Sequence, residues 1–295
     1  MQCYYKTNED ENVGVKATTS IYGIFGHPVK HSLSPDMHNS AFNELGLNSV
    51  YVAFDIDPEN IEEATRAIRV MGIKGINITI PHKQTIIPFL DEVSPDAKLT
   101  GAVNTVKNEN GKLSGFNTDV GGFLRAIRED LDFTPEGKTL FLIGAGGAAR
   151  AVLSAFCMNG GAIVHIADIF KDKATELADQ FKANFPNIVI EIIEMENQSA
   201  ISEKFAQADI LVNASPAGMD GVGAHDIPLT SLNKKAVVYD LVYKPTNTKL
   251  LQDAKELGHK ASGGLTMLLY QGAESFEIWT GENAPVEVMR KALGY

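Results

Sequence analysis

Residues 139–168 read TLFLIGAGGAARAVLSAFCMNGGAIVHIAD and carry the strongest fold signal in this chain. An apolar run at 139–143, typical of a buried strand, meets a glycine turn and then a run of small residues typical of a helix. A second apolar run at 162–167 ends on Asp168, which follows Gly144 by 168 − 144 = 24 residues. A strand, a G-x-G-x-x-A turn, a helix, a strand and an acid in this order predict a Rossmann dinucleotide-binding unit.

Each part of the glycine turn has a physical task in holding a dinucleotide. Gly144 permits the tight turn, Gly146 lets a pyrophosphate approach the backbone, and Ala149 lets helix and strand pack closely. The free N–H groups at the start of the helix then face the phosphates. The alternative is a purely structural turn, since glycine turns between strand and helix are common. The predicted cofactor-binding residues of the turn are Gly144, Ala145, Gly146, Gly147 and Ala148.

Asp168 bears on the choice between NAD and NADP. Its carboxylate can accept hydrogen bonds from both adenosine ribose hydroxyls, but it repels a 2′-phosphate. The next residues are Ile169 and Phe170, and the nearest cations are Lys171 and Lys173. We therefore expect NAD to be the cofactor and NADP to be disfavoured. The alternative is that Asp168 is a strand-end acid that faces solvent.

Length and composition restrict the class of protein. The 295 residues suit two domains, and 44% hydrophobic with 21% charged residues is ordinary for a globular protein. A net charge of −11 argues against nucleic acid or an anionic membrane as a partner. The two cysteines, Cys3 and Cys157, are too few for a disulfide framework. The sequence shows no signal peptide and no apolar run long enough to span a bilayer. We therefore expect a cytoplasmic protein. The seven histidines have no cysteine-rich partner set, and we expect no metal site.

Short apolar runs alternate with helix-like stretches before the glycine turn, which predicts an α/β domain with a largely parallel sheet. Residues 133–138, FTPEGK, are the best boundary between two domains. A short helix is expected after Pro81, and Asn110-Gly111 is a turn signal. The predicted segments are a loose extension at 1–17, a substrate-binding and catalytic domain at 18–132, a Rossmann domain at 133–262, and C-terminal helices at 263–295 that pack back on the substrate domain.

Two loops in the N-terminal half carry polar groups suited to a ligand. In HSLSP at 31–35, Ser32 and Ser34 point to the same side of an extended loop and can both donate to one carboxylate. Ser34 before Pro35 is also well suited to cap a helix, and this alternative stays open. In NITIPHK at 77–83, Asn77 and Thr79 alternate with isoleucines at a strand's carboxyl end, where α/β sheets bind ligands.

A lysine and an aspartate are the candidate catalytic groups. Lys83 closes the NITIPHK segment, and Asp119 closes GFNTD at 115–119. Together they suit proton transfer at a carbonyl or carbinol carbon. A cation in the first turn of a helix is disfavoured by the macrodipole, which makes Lys83 unusual there. The alternatives are that Lys83 is a solvated surface lysine and that Asp119 only caps the following helix.

These segments, with GAVNT at 101–105 and the Rossmann half, closely resemble the shikimate dehydrogenase family in their order along the chain. The resemblance runs from about residue 21 to the C-terminus. NASPAGM at 213–219, YDLVY at 239–243 and the stretch at 264–271 also match. Any one of these segments is weak evidence, but all of them in the family's order are hard to reach by chance.

The resemblance implies an enzyme of aromatic amino acid biosynthesis, a monomer or homodimer, that interconverts shikimate and 3-dehydroshikimate with NAD(P). It implies that Lys83 and Asp119 are the catalytic pair and that Lys83 relays the proton of the reacting C3 oxygen. The implied substrate-binding residues are Ser32, Ser34, Asn77, Thr79, Asn104, Tyr243 and Gln271, and the further cofactor-binding residues are Met219 and Gly264.

The segment Asp168-Ile169-Phe170 departs from the Asn-Arg-Thr-like segment of the NADP-using members. It resembles instead the quinate/shikimate dehydrogenase branch, whose members also oxidise quinate to 3-dehydroquinate. Two other readings remain. A dehydrogenase of the methylene-tetrahydrofolate type is disfavoured by the serine loop, and a non-catalytic NAD-binding module is disfavoured by the lysine–aspartate pair.

Overall fold

The computed structural model describes residues 15–295. Most of the predicted N-terminal extension, Cys3 included, lies outside the described residues. The described chain forms two six-stranded sheets, each with helices packed on it. The predicted α/β class, a substrate-type α/β unit followed by a Rossmann unit, is confirmed.

The first sheet has the strand order β2-β1-β3-β5-β6-β4. It is mixed, because β5 runs antiparallel to both β3 and β6. The β5–β6 turn is Asn110-Gly111, with φ of 55° and 91°, the left-handed pair that a tight hairpin requires. The strands are β1 (Ser20–Gly26), β2 (Ser49–Asp55), β3 (Gly75–Ile78), β4 (Glu92–Val93), β5 (Thr105–Glu109) and β6 (Lys112–Phe116).

The second sheet is parallel throughout, in the order β12-β11-β10-β7-β8-β9, which is the doubly wound arrangement. The five residues of β7 are all buried, as expected for a central strand covered on both faces. The strands are β7 (Thr139–Ile143), β8 (Ile163–Asp168), β9 (Val189–Glu194), β10 (Ile210–Asn213), β11 (Val237–Asp240) and β12 (Ala261–Gly263).

Ten α-helices connect and cover the sheets within the described part of the chain, with three short 3₁₀ turns between them. The helices are α1 (Ser34–Glu44), α2 (Ile61–Val70), α3 (Pro95–Thr100), α4 (Asp119–Leu131), α5 (Gly147–Met158), α6 (Lys171–Asn184), α7 (Gln198–Phe205), α8 (Lys249–Glu256), α9 (Leu265–Thr280) and α10 (Val286–Ala292). In residues 15–295, no helix is both long and apolar enough to cross a membrane.

The last two helices complete the core of the first sheet. Phe276 and Trp279 of α9 and Met289 of α10 are buried in one apolar cluster with Tyr22 of β1 and Phe42 of α1. α9 also packs along α4, which carries the chain from the first sheet to the second. This packing brings polar side chains of α9 next to the loops of the first sheet.

The helix expected after Pro81 is absent from the structure. Residues 80–86 form a run of turns, followed by a 3₁₀ helix at Ile87–Phe89. Pro88 explains the difference, because it has no N–H to donate and it disfavours the α conformation at Ile87. Lys83 therefore lies in a turn and not in the first turn of an α-helix.

Candidate active site

The topology brings four polar loops to one edge of the first sheet. β1, β3 and β6 run in the same direction, so the loops that follow them emerge at the same edge. Ser34 follows β1, Lys83 follows β3 and Asp119 follows β6. Asn104 precedes β5, which runs the opposite way, and so it lies at this edge too.

Lys83 and Asp119 form a buried ion pair. The Lys83 Nζ atom donates to Oδ2 of Asp119 at 2.6 Å, and the two side chains are only 15% and 7% exposed. The capping residue of α4 is Thr118, which makes no side-chain cap hydrogen bond. Lys83 is therefore not a solvated surface lysine, and the Asp119 carboxylate is free of a capping role.

Asn104 holds the other oxygen of the aspartate. Its Nδ2 donates to Oδ1 of Asp119 and to Oγ1 of Thr118, each at 2.9 Å. Oε1 of Gln271, on α9, lies 3.3 Å from the same nitrogen. With Lys83 on one oxygen and Asn104 on the other, the carboxylate has a fixed orientation.

Asn77 is the centre of a second set of hydrogen bonds. It is 4% exposed, and its Oδ1 accepts from the hydroxyl of Tyr51 at 2.8 Å. Its Nδ2 lies 3.0 Å from Oγ of Ser275 and 3.1 Å from Oγ1 of Thr105. Ser275 and Thr105 also bond to each other at 2.7 Å. The amide is therefore held rigidly under the site.

Four residues of this hydrogen-bond network were not among the predicted site residues. Two of them lie inside segments that the sequence singles out, GAVNT and GFNTD. A third follows Gln271 by four residues and so shares its face of α9, which is a signal that could have identified it. The fourth lies in the middle of a strand and carries no local signal. These residues are Thr105, Thr118, Ser275 and Tyr51.

The serine loop lies at the opposite end of this network. α1 is capped by the backbone of Leu33 without a side-chain hydrogen bond, so Ser34 does not act as the helix cap. Ser34 is 3% exposed and hydrogen-bonds the Tyr51 hydroxyl. Oγ of Ser32 accepts from the backbone N–H of Ser34 at 3.2 Å. The network thus runs from the serine loop through Tyr51 and Asn77 to the Lys83–Asp119 pair.

Two predicted substrate-binding residues stand apart from the network. Thr79 lies one residue beyond β3, and Tyr243 lies in the loop after β11 of the second sheet. Neither side chain hydrogen-bonds the other site residues within the described ranges. Tyr243 is half-buried, and burial raises the pKa of its hydroxyl.

The glycine turn after β7 has the geometry of a phosphate-binding turn. Gly144 has φ of 106°, and a Cβ atom there would lie 2.9 Å from the backbone oxygen of Ala214. A Cβ on Gly146 would meet no atom within 4 Å, so the turn is open where a pyrophosphate would approach. No side chain caps α5, and its first N–H groups are free to bind phosphate.

The two halves of the site meet at Gly147. A Cβ atom on this first residue of α5 would lie 3.4 Å from Cδ of Lys83. Gly264 directly precedes α9, and a Cβ there would collide with the carbonyl oxygen of Leu241. Met219 follows β10 and is 45% exposed. Among residues 15–295, no cluster of three His, Cys, Asp or Glu side chains could hold a metal ion.

Asp168 ends β8 beside a cavity of about 300 Å³ lined by Asp168, Ile169, Lys171 and Glu194. Oδ1 of Asp168 accepts from the backbone N–H of Phe170 at 2.7 Å, so part of the carboxylate is used within its own loop. Lys171 pairs with Glu194 at 2.5 Å, and both side chains are exposed. The Lys173 ammonium lies 4.7 Å from the centre of the Phe170 ring.

Comparisons with known proteins agree with this geometry. Residues 24–106 match the shikimate dehydrogenase substrate binding domain, and residues 264–293 match the shikimate 5′-dehydrogenase C-terminal domain. A shikimate dehydrogenase (NADP(+)) from Methanopyrus kandleri is 46% identical over 285 residues, which are 96% of this chain and 97% of the relative.

Solved structures are similar over nearly the whole chain. A shikimate 5-dehydrogenase from Listeria monocytogenes, in complex with shikimate and NAD, is 35% identical with a TM-score of 0.88. The match covers 95% of this chain and 98% of the Listeria chain. A quinate dehydrogenase from Corynebacterium glutamicum, in complex with NAD, is 32% identical with a TM-score of 0.85. The match covers 93% of this chain and 98% of the quinate dehydrogenase chain.

The expected preference for NAD over NADP, based on Asp168, is wrong. The Methanopyrus kandleri relative is named for NADP(+), and further relatives that are 38–43% identical carry the same name. The structure offers a physical reason. The Asp168 carboxylate bonds the N–H of Phe170 in its own loop, and Lys171 and Lys173 begin α6 directly after it. The charge facing a 2′-phosphate is therefore not set by Asp168 alone.

Proposed function

The chain belongs to the shikimate dehydrogenase family, and from this premise we propose that it interconverts shikimate and 3-dehydroshikimate with NADP as the cofactor. The observation that carries the proposal is the buried Lys83–Asp119 pair, 2.6 Å between Nζ and Oδ2, in contact with the glycine turn at Gly147. A proton-transfer group and a dinucleotide turn in contact are what an alcohol dehydrogenase needs.

Lys83 moves the proton of the reacting C3 oxygen in this proposal. Bound NADP would supply or accept the hydride at the same carbon. Asp119 orients the lysine and binds the adjacent ring hydroxyl. Asn104 keeps the aspartate in place through its 2.9 Å hydrogen bond. Because the pair is largely buried, water is excluded from the groups that exchange the proton.

The substrate carboxylate binds at the opposite end of the network. Ser32 and Ser34 donate to it, helped by Thr79 and Tyr243. Asn77 and Gln271 contact the ring hydroxyls, with their amides held by the buried hydrogen bonds described above. Hydrogen bonds to a carboxylate contribute roughly 1.5–3 kcal/mol each, so this end supplies much of the binding energy.

The second sheet would hold the cofactor. Its pyrophosphate would be bound by Gly144, Ala145, Gly146, Gly147 and Ala148, where the start of α5 has no side-chain cap. Met219 and Gly264 would bind the nicotinamide end, and Lys171 and Lys173 would supply positive charge for the 2′-phosphate. In this proposal the residues at 18–132 and 263–295 bind substrate, and those at 133–262 bind the cofactor.

Activity on quinate is a second proposal, favoured by the similarity to the quinate dehydrogenase from Corynebacterium glutamicum. Quinate carries a hydroxyl on a tetrahedral C1, next to the carboxylate that the serine loop would bind. This proposal requires space for that hydroxyl beside Ser32 and Ser34. It predicts turnover with quinate at a lower kcat/KM than with shikimate.

Steady-state kinetics with shikimate and quinate, each with NADP⁺ and with NAD⁺, test both proposals. We expect saturable reduction of NADP⁺ by shikimate that is lost in Lys83→Ala. Absence of turnover with both substrates and both cofactors, in a chain that still binds NADPH, would show a non-catalytic binding module. Absence of turnover with quinate alone would remove only the second proposal.

A further inference from the structure

Asp240 ends β11, and its side chain is fully buried at the carboxyl edge of the second sheet. Its Oδ1 atom accepts from Nδ2 of Asn213 at 2.9 Å and from the N–H of Val242 at 3.1 Å. Its Oδ2 atom accepts from the hydroxyl of Thr248 at 2.6 Å. Asn213 ends β10 and pairs in register with Asp240. One carboxylate therefore binds a donor from the neighbouring strand end and two donors from the loop after its own strand.

The β10 loop, residues 214–219, is held to this carboxylate through Asn213. Nδ2 of Asn213 donates to Asp240 and also to the carbonyl oxygen of Ala217, which it meets at 3.0 Å. Met219 is the last residue of this loop. The position of Met219 therefore depends on an amide that Asp240 holds in place.

The β11 loop, residues 241–248, is held near both of its ends. Val242 donates to the carboxylate at the start of the loop, and Thr248 donates to it at the end. Tyr243 directly follows Val242, and the carbonyl oxygen of Val242 accepts from the N–H of Gly264 at 3.3 Å. The same carboxylate therefore fixes the backbone next to Tyr243 and, through Val242, the backbone at Gly264.

The two loops touch each other over the buried carboxylate. A Cβ atom on Gly218 would lie 3.6 Å from Cβ and 3.7 Å from Cγ2 of Thr248, and 4.0 Å from Oδ2 of Asp240. Gly218 directly precedes Met219. The backbone next to Met219 therefore lies on the hydrogen bond between Asp240 and Thr248.

Aspartate suits this place because a carboxylate has only acceptors, and three donors converge on it. Burial raises the pKa of Asp240 above its ordinary value, while the three hydrogen bonds act against this rise. An asparagine accepts at one end only and would turn an N–H group toward one of the donors. Such a change would leave a buried polar group without its partner, which costs stability locally.

We propose that Asp240 is a positioning residue that fixes the β10 and β11 loops to each other, so that cofactor and substrate bind to one preformed arrangement. The inference rests on the proposed function, from which the binding roles of Met219, Gly264 and Tyr243 are taken. Asp240 acts through the two loops and not by contact with either ligand. Loosening one loop should therefore loosen the other, and the affinities for NADP and shikimate should fall together.

Hydrogen exchange measured by mass spectrometry tests the link between the loops without using activity. Thr248→Val removes the hydroxyl that donates to Asp240, and we expect about three- to tenfold faster exchange in both loops, the scale of one lost hydrogen bond. The valine keeps both carbon atoms that face Gly218, so an effect on the β10 loop has to pass through the lost hydrogen bond. Thr248→Ser keeps the hydroxyl and should leave the β10 loop as in the wild type.

Steady-state kinetics of Asp240→Asn test the link to the ligands. We expect KM for NADP⁺ and KM for shikimate to rise together, each about three- to tenfold, with little change in kcat. Lys83 and Asp119 belong to the first sheet, which this substitution does not touch. Ile201→Ala is the control for a merely structural effect, because Ile201 is fully buried against the same sheet. It should lower Tm without raising either KM.

Faster exchange confined to the β11 loop and α8 in Thr248→Val would show only the loss of a helix cap, and it overturns the proposal. Wild-type exchange in both loops overturns it too. Faster exchange in both loops with both KM values unchanged, or with only one of them raised, overturns the positioning role. A wild-type chain without shikimate turnover overturns the proposed function. In that chain, faster exchange in both loops with weaker NADPH binding in Asp240→Asn still supports the link between the loops.

Discussion

Lys83 and Gly147 lie side by side, although the first follows a strand of the N-terminal sheet and the second begins a helix of the C-terminal sheet. A Cβ atom on the glycine would lie 3.4 Å from Cδ of the lysine. The contact places the candidate proton-transfer group against the turn that would hold the cofactor. Hydride transfer and proton transfer act on the same carbon and its oxygen, so the reaction has to take place next to this contact.

Lys83→Ala should lower kcat for shikimate oxidation by roughly 10²–10⁴, with a smaller change in KM. The lysine is buried against Asp119, and no other described amine makes this contact. Steady-state kinetics measure the effect. Lys98→Ala, at an exposed lysine of α3, is the control and should keep wild-type kcat. Near-normal turnover in Lys83→Ala would show that another group moves the proton.

Replacing both Ser32 and Ser34 by alanine should raise KM for shikimate. Each lost hydrogen bond to the substrate carboxylate is expected to cost on the order of 1.5–3 kcal/mol of binding. Leu33 holds the N-cap position of α1, and Oγ of Ser32 accepts from the N–H of Ser34 at 3.2 Å, so we expect only a small loss of helix stability. Kinetics and thermal unfolding are compared in the same variant. An unchanged KM with a lower Tm would assign the serines to stabilising the loop.

Tyr51→Phe removes the hydroxyl that links Ser34 to Asn77. The phenol is 1% exposed and donates to Oδ1 of Asn77 at 2.8 Å, so its loss leaves buried acceptors unpaired. We expect a loss of about 1–3 kcal/mol in the free energy of unfolding and a higher KM for shikimate. Urea titration and kinetics measure the two effects. Tyr22→Phe, on the neighbouring strand, is the control, and a similar rise in KM there would argue against a specific role of Tyr51.

His38 should make the protein less stable in mild acid. It is fully buried and stacked on Tyr51 at 4.4 Å, both ring nitrogens lack a described partner, and burial lowers its pKa from 6.5 to about 3. The unfolded chain therefore binds one more proton between about pH 3 and 6.5. As the pH is lowered through this window, the free energy of unfolding should decrease by up to about 1.4 kcal/mol per pH unit for this residue. Urea titrations at pH 5, 6 and 7 measure this effect. The free energy of unfolding should depend less steeply on pH in His38→Leu than in the wild type, and an equal slope would contradict the prediction.

Lys171→Ala and Lys173→Ala should raise KM for NADP⁺ about three- to tenfold each, the scale of one partly exposed charge–phosphate contact. KM for shikimate should stay unchanged. Both lysines begin α6, directly after the strand that ends on Asp168. Lys182→Ala, in the last turn of the same helix, is the matched control. If neither variant changes KM for NADP⁺, another basic group holds the 2′-phosphate.

The local pattern of the chain was enough to predict the Rossmann unit. The strands at Thr139–Ile143 and Ile163–Asp168 and the helix between them lie where the apolar runs and the glycine turn place them. Hydrophobic period and glycine chemistry are properties of neighbouring residues, so they can be read without a structure. The turn signal at Asn110-Gly111 is the β5–β6 hairpin. The helix predicted after Pro81 was wrong, because Pro88 has no N–H to donate and disfavours the α conformation at Ile87.

The sequence named several residues of the candidate site but not the contacts between them. Motif order named Lys83, Asp119, Asn104 and Gln271, yet Asn104 and Gln271 are 167 residues apart in the chain and 3.3 Å apart in the structure. Cofactor preference was mispredicted from Asp168, because the sequence does not show which way a carboxylate turns or which cations lie near it.

The sequence by itself determined the α/β class, the glycine turn and the residues proposed to do the chemistry. Only the tertiary structure decided that Lys83 meets Asp119 and Gly147 and that Tyr51 and Ser275 hold Asn77. The physical reason is that burial, desolvation and hydrogen-bond pairing depend on distances between chain segments. Those distances are set by sheet topology and by the packing of helices on the sheets, which no local pattern encodes.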